Sequence, residues 1–298
     1  MTRVTELGYL GISVSNADAW KAYATEITGM EVCDEGEKNK FYLRMDDWHH
    51  RIAVHVDGGD DLAYMGWRVS GPREFDAMAE KLSAAKVKFE VCSDSQAEDA
   101  RVLGLIRLKD PAGNPTEIFY SPQVDAHKPF HPGRAMYGKF LTLGQGLGHC
   151  IIRQDDIPAA IEFYQLLGLT GSVEYKLKLP NGMVATPVFM HANTRQHSVA
   201  FGLGPMNKRI NHLMIEYTDL KDLGITHDTV RQRKIDVAVQ LGEHSNDQAL
   251  TFYAANPSGW LWEHGWGARA SMSSQEHYNR DIFGHGNEAK GYGFDVEL

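Results

Sequence analysis

At 298 residues, 43% hydrophobic and 23% charged, the chain has the composition of a folded globular protein of one large or two ordinary domains. A formal charge of −9 and the lack of a dense Lys/Arg cluster argue against a nucleic-acid partner, which needs a concentrated basic face. No apolar run approaches the ~18 residues of a membrane span, Glu6 stands where a signal peptide would be apolar, and three cysteines without a CxxC pair suit reduced thiols, so a cytoplasmic protein with no membrane partner, disulfide or structural zinc is expected.

Taken in chain order, Leu7-Gly8-Tyr9-Leu10-Gly11-Ile12 reads as a buried strand. Trp20, Tyr23, Ala24 and Ile27 follow at the spacing of one helix face and close on Gly29. His50-Arg51-Ile52-Ala53-Val54 alternates as a half-buried strand does, and a helix is predicted near 72–86. The turn Asp110-Pro111-Ala112-Gly113, with Pro at its second position and Gly at its fourth, leads into a strand carrying Glu117.

The same order then returns. Leu147-Gly148-His149-Cys150-Ile151-Ile152 repeats the opening strand at an offset of 149 − 9 = 140, and Ile157, Ile161 and Tyr164 before Gly168 repeat the helix. His197-Ser198-Val199-Ala200-Phe201 repeats the alternating strand, a second helix is predicted near 226–235, and Asn256-Pro257-Ser258-Gly259 precedes a strand carrying Glu263. Between the halves, His127-Lys128-Pro129-Phe130-His131-Pro132-Gly133-Arg134 breaks both periodicities, which places the boundary between 1–135 and 136–298. Each half contains two strand-helix-strand runs, so the expected architecture is two similar α+β domains in tandem, each a curved sheet around a cavity. The repeat argues against a single barrel.

His149, His212 and Glu263 fall on three different strands of the second half. Two imidazoles and one carboxylate on one face of an octahedral ion leave its other positions open, the arrangement of non-haem Fe(II) oxygenases. A single histidine among 14 is far more often a surface or core residue than a ligand, so the repeat has to carry weight here. In the first half the positions answering to His149 and His212 read as Tyr9 and Trp67, and that half reads as metal-free. Glu117, lacking imidazole partners, reads as a surface or hydrogen-bonded carboxylate. Glu216 shares a strand face with His212 and is the rival ligand, although four residues of strand separate the two by roughly 13 Å. His264 should point away from Glu263. Met183, Val184, Phe189, Phe201 and Phe252 are candidates for an aromatic-binding wall, with simple core packing as the alternative.

The segment from His244 through Tyr253 and Asn256-Pro257-Ser258-Gly259 to Glu263 resembles the signature of the type I extradiol ring-cleavage dioxygenases. Leu7-Gly8-Tyr9, Phe41-Tyr42-Leu43-Arg44-Met45, Gly146-Leu147-Gly148-His149 and Gly284-His285-Gly286 extend the resemblance over nearly the whole chain. It implies the vicinal-oxygen-chelate fold of paired βαβββ modules, with a metal-free first domain and a catalytic second. It also implies Fe(II) held by His149, His212 and Glu263, although the same ligand atoms accept Mn(II). His197, His244 and Tyr253 are implied as catalytic and substrate-binding residues, with Asn246 and Asp247 at further substrate-binding positions. The implied reactants are O2 and a small bicyclic aromatic diol of the dihydroxynaphthalene or dihydroxybiphenyl type, in a homo-oligomer. His197 is the expected proton shuttle, since imidazole titrates near neutrality. Two rivals within the fold are a metal-dependent isomerase or lyase of the glyoxalase kind and a non-catalytic binder of aromatic ligands.

Overall fold

The computed structural model describes residues 2–178, 182, 184–271 and 276–292, and of 172–174 and 177–178 the backbone only. Met183 lies outside the described residues. Two large sheets form, the first from strands within residues 6–122 and the second from strands within 149–278.

In the first sheet the strands run side by side as Glu31–Cys33, Lys40–Arg44, Ile52–Val56, Glu6–Val14, Asp61–Arg68, Pro115–Pro122, Val102–Lys109 and Phe89–Val91. In the second they run as Thr170–Tyr175, Val188–His191, Val199–Phe201, His149–Ile152, Ile210–Tyr217, Leu261–Trp266, Leu250–Ala255 and Val237–Glu243. The order is the same position by position. One short strand, Glu276–Tyr278, is added at the edge beside Thr170–Tyr175. Each half thus contains two βαβββ modules, and the mixed α+β, vicinal-oxygen-chelate fold is the observed one.

Local chemistry repeats with the topology. Asn16 and Asp156, 140 residues apart, cap the first helix of each half by accepting from the backbone N–H of Ala19 and Ala159. Gly29 and Gly168 end those helical segments in the left-handed conformation, at φ 87° and 99°, where a Cβ would be strained. The other first-half helix spans Pro72–Ala84, as expected. Its counterpart begins earlier than 226, spanning Leu220–Gln232 with Asp219 as its cap. Gly224 and the polar residues around it dilute the apolar periodicity of its first turns, which hid them. His50 and His197 also lie just before their strands, in irregular backbone between two bends, rather than within an alternating strand.

The two halves share one continuous apolar core. The Leu147 N–H donates to the Leu7 carbonyl (2.8 Å), and the Tyr217 hydroxyl donates to the Thr28 carbonyl (3.0 Å). Trp20 of the first half stands 5.7 Å, ring to ring, from both Trp260 and Trp262, and its indole N–H donates to Ser258 Oγ at 2.9 Å. Trp262 precedes Glu263, so the back of that strand is braced by the first half.

Candidate metal centre

Met214 stands in register with His149 on one neighbouring strand and with Glu263 on the other, and His212 shares its face two residues earlier. Three strands therefore aim two imidazoles and one carboxylate at one point. His149 Nε2 lies 2.9 Å from Glu263 Oε2 and His212 Nε2 lies 3.2 Å from the same oxygen, with all three side chains at most 4% exposed. Ligand atoms ~2.1 Å from an ion at right angles to one another lie about 3 Å apart, so these spacings fit one face of an octahedron.

The donor chemistry fits as well. The Nδ1 of His212 faces the side-chain oxygen of Asn211 at 2.8 Å, which leaves the lone pair of Nε2 aimed inward, and that Nε2 is buried with no aligned hydrogen bond. Burial holds the His212 imidazole below its usual value and so in the neutral form a metal requires. Burial alone would raise the Glu263 carboxyl, but the imidazoles of His149, His212 and His244 draw it well below the usual range. Among the described residues lining the cavity none is Lys or Arg, so this fully buried carboxylate has only imidazoles to balance it. A divalent cation would satisfy the cluster.

Around this point lies a cavity with an apolar wall that includes Ile151, Tyr175, Phe189 and Leu203. Its shape and lining suit a flat aromatic molecule. Of the other apolar candidates, Val184 is exposed, while Phe201 stacks on Tyr164 and Phe252 on His264, both in the core.

The remaining expected residues gather at the rim. His197 packs its ring against His149 with centroids 3.7 Å apart. Its Nδ1 faces the Gln196 side-chain oxygen at 2.6 Å, while its Nε2 is buried without a hydrogen-bond partner. Burial, and then the nearby His149, hold it well below its usual value as a neutral base. His244 follows the strand Val237–Glu243, and its Nε2 reaches the Tyr253 hydroxyl at 2.7 Å and Glu263 Oε1 at 3.3 Å. Burial works against charge on His244, but Asp281 and Glu263 outweigh it and raise this imidazole well above its usual value. Tyr253 stands in register with Glu263, and burial followed by the charge of Glu263 keeps its phenol well above the usual range. Asn246 lines the cavity and accepts from the Tyr175 hydroxyl at 3.4 Å. Asp247 is buried beside His149 and His197, with a carboxylate oxygen within 4.8 Å of a nitrogen of each, and accepts from the Ala249 N–H at 3.0 Å.

Glu216 does not join this group. Its carboxylate pairs with Arg195 at 2.8 Å and accepts from the Ala268 N–H at 3.0 Å. His264 faces the opposite side of its strand and meets the Tyr217 hydroxyl at 3.2 Å.

One expected equivalence is corrected. Tyr9 pairs with Gly66 and Gly66 with Glu117, just as His149 pairs with Met214 and Met214 with Glu263. The counterpart of His212, which pairs with Ile151, is therefore Tyr64, which pairs with Gly11, and Trp67 belongs to the core. Three further residues, Gln196, Asn211 and Asp281, were not singled out from the sequence, and His285, noted only within Gly284-His285-Gly286, was given no role. Gln196 and Asn211 each precede the histidine they orient, a signal that was present as an amide-His pair. Asp281 and His285 belong to the C-terminal segment and meet His244 only in three dimensions.

Comparison with known proteins completes the picture. Residues 7–56 match the family model described as dihydroxybiphenyl dioxygenase BphC D1, and residues 146–264 match that of the glyoxalase/bleomycin resistance protein/dioxygenase superfamily. The chain is 70% identical over 298 residues, all of both chains, to a biphenyl-2,3-diol 1,2-dioxygenase of Sphingomonas paucimobilis. It is 69% identical, again over the full length of both, to a 1,2-dihydroxynaphthalene dioxygenase of Sphingobium xenophagum. The crystal structure of a catechol 2,3-dioxygenase superposes with a TM-score of 0.98 at 67% identity, covering 100% of this chain and 99% of that one.

Proposed function

Since the chain belongs to the extradiol ring-cleavage dioxygenases of the glyoxalase/dioxygenase superfamily, we propose that His149, His212 and Glu263 hold one Fe(II) and that the enzyme opens a bicyclic catechol of the dihydroxynaphthalene or dihydroxybiphenyl type. The observation that carries this reading is the pair of ~3 Å spacings from Glu263 Oε2 to two imidazole nitrogens, in a cavity with no Lys or Arg among the described residues that line it. Residues 1–135 then form a metal-free supporting domain and 136–298 the catalytic one.

Bound there, iron would supply a Lewis acid that acidifies a chelating diol and a place for O2 beside it. The protein's own residues supply the rest. Ile151, Phe189 and Leu203 exclude water from the ring and hold it flat. His197, neutral and with a free Nε2 lone pair, accepts a proton at that atom and returns it later, while Gln196 keeps Nδ1 protonated. The Tyr253 hydroxyl and His244 Nε2, 2.7 Å apart, form a preorganised polar pair where negative charge develops on oxygen. Asn246 orders the rim through Tyr175, and Asp247 holds the turn that brings His244 inward.

A metal-dependent isomerase of the glyoxalase kind would use ligands from both halves, and Tyr9 and Tyr64 stand at the first-half positions. The test is oxygen uptake by anaerobically iron-loaded enzyme, comparing bicyclic and monocyclic catechols, with metal analysis to separate Fe(II) from Mn(II). A yellow ring-cleavage product formed with stoichiometric O2, fastest with the bicyclic diols, is expected. Turnover without bound transition metal, or faster turnover of monocyclic catechols, would defeat the corresponding part of the proposal.

A further inference from the structure

The C-terminal segment, described over residues 276–292, runs as a strap from the Thr170–Tyr175 edge of the second sheet to the Val237–Glu243 edge and closes one side of the cavity. It is stitched to Val237–Glu243 by backbone bonds. The Ile282 N–H donates to the Glu243 carbonyl (2.8 Å), the Glu243 N–H to the Phe283 carbonyl (3.0 Å), and the Gln240 N–H to the Gly286 carbonyl (3.0 Å). Two glycines make the approach possible. A Cβ on Gly242 would sit 2.4 Å from the Phe283 carbonyl oxygen, and one on Gly284, at φ +73°, 2.1 Å from that of Leu241.

This fit delivers two side chains to the back of His244. One oxygen of Asp281 lies 2.9 Å from His244 Nδ1 and the other 3.0 Å from His285 Nδ1. The His285 ring packs 4.2 Å from that of His244, and its Nε2 reaches Thr251 Oγ1 at 3.1 Å. Thr251 lies two residues before Tyr253 on the same strand, and Tyr253 meets the front of His244. Asp281, His244 and Tyr253 on one side and His285 and Thr251 on the other form two contact chains from the one carboxylate, which meet through the strand that carries Thr251 and Tyr253.

We propose that Asp281 is a positioning residue for His244, fixing its proton on Nδ1 and its Nε2 toward Tyr253 and the bound diol, with His285 anchoring the carboxylate from the other side. The physical basis is general: which nitrogen of an imidazole faces a reaction centre is set by what the other nitrogen is bonded to. A carboxylate accepts from Nδ1 and cannot donate to it, so Nδ1 keeps its proton whether the ring is charged or neutral, and any proton the ring exchanges passes through Nε2. The strap thereby makes the C-terminal segment part of the reaction machinery rather than a cover. The inference rests on the role assigned to His244 above.

The test is a double-mutant cycle on iron-loaded enzyme, reading kcat, KM for the diol, iron per chain and thermal stability. Asp281→Ala should lower kcat about 10-fold while KM and iron content stay within about twofold, the size of effect typical of partners behind active groups. In a His244→Gln background the same substitution should change kcat by less than about twofold, because its effect passes through the missing imidazole. Asp281→Asn keeps the volume but supplies one acceptor for two rings. It should show a smaller loss of the same kind and stands in if the alanine variant does not fold. An unchanged kcat, an equal loss in both backgrounds, or loss of iron would overturn the inference. A His244→Gln enzyme with wild-type turnover would instead refute the role of His244 itself.

Discussion

In the first half Tyr9, Tyr64 and Glu117 occupy the register positions that His149, His212 and Glu263 occupy in the second. The difference lies in ring size and in what balances the glutamate. The Tyr9 ring lies over Gly66 and the Tyr64 ring over Gly11, each so close that a Cβ on the glycine would fall 2.3 Å from a ring carbon. In the second half the paired residues are Met214 and Ile151, and the rings opposite are the smaller imidazoles. Large rings over glycine fill the first barrel; small rings beside larger neighbours leave the second one open. Glu117 is held by the Tyr9 hydroxyl at 2.7 Å and by Arg107 at 3.0 Å, so its charge has a permanent partner. At the position of Arg107 the second half has Tyr253, and Glu263 has no guanidinium beside it in register. One scaffold thus serves as a plug or as a pocket by the exchange of a few inward-facing residues.

Substitutions in the two halves should therefore diverge. The largest effect is expected for His212→Ala. A bound metal supplies several kcal/mol to the reaction, so its loss should lower turnover by roughly 1,000-fold or more, with iron no longer stoichiometric by metal analysis. In contrast Tyr9→Phe, at the matching position of His149, should leave iron content and turnover within about twofold, since it removes one hydrogen bond far from the reaction. A Tyr9→Phe enzyme depleted of iron would break the contrast between plug and pocket.

Next, His197→Ala should retain iron while turnover falls by ~100-fold or more, the usual cost of losing acid-base catalysis. Its first-half counterpart is His50, which pairs through Nδ1 with His49 at 3.0 Å and has no metal neighbour, so His50→Ala should register in stability alone. Tyr253→Phe should cost about 10-fold in turnover, the equivalent of one well-formed hydrogen bond. Wild-type kinetics in that variant would remove the hydroxyl from the mechanism.

Glu117→Ala should destabilise the fold by about 2 kcal/mol in urea unfolding without loss of iron, below the ~3–5 kcal/mol of breaking a fully buried pair because the Arg107 side chain is 42% exposed. The smallest effect concerns thiols. Cys150 in the second half is buried and its thiol is pushed up to about 12, Cys33 is buried, and Cys92 is half-buried. A disulfide reagent at neutral pH should find Cys92 first in the folded chain and all three thiols after denaturation.

Much of this arrangement was legible in the amino-acid order. The recurrence of turn, helix-closing glycine and strand glutamate gave the paired modules, and three candidate ligands on three strands pointed to one site. The register was less legible. The offset between halves is 140 at Tyr9 and His149 but 212 − 64 = 148 at Tyr64 and His212, because loops between the strands differ in length and bulges interrupt the pairing. With the offset drifting between strands, Trp67, at 212 − 67 = 145, was mistaken for the counterpart of His212. Glu216 looked like a rival ligand because nothing in its neighbourhood announced Arg195, its partner 21 residues earlier. Asp281 and His285 escaped for a similar reason. Their strap has no strand or helix period of its own over most of its length, and it takes its shape from the edge it binds.

The bracing of Trp262 by Trp20 bears on whether the second half can stand alone. Severed from its companion, that half would present the indoles of Trp260 and Trp262 to water and lose the backing of the strand that carries Glu263. Expressed separately it should clump, and gene fragments carrying it alone should yield no working catalyst. On the proposed assignment the first half would thus serve as a splint for the second.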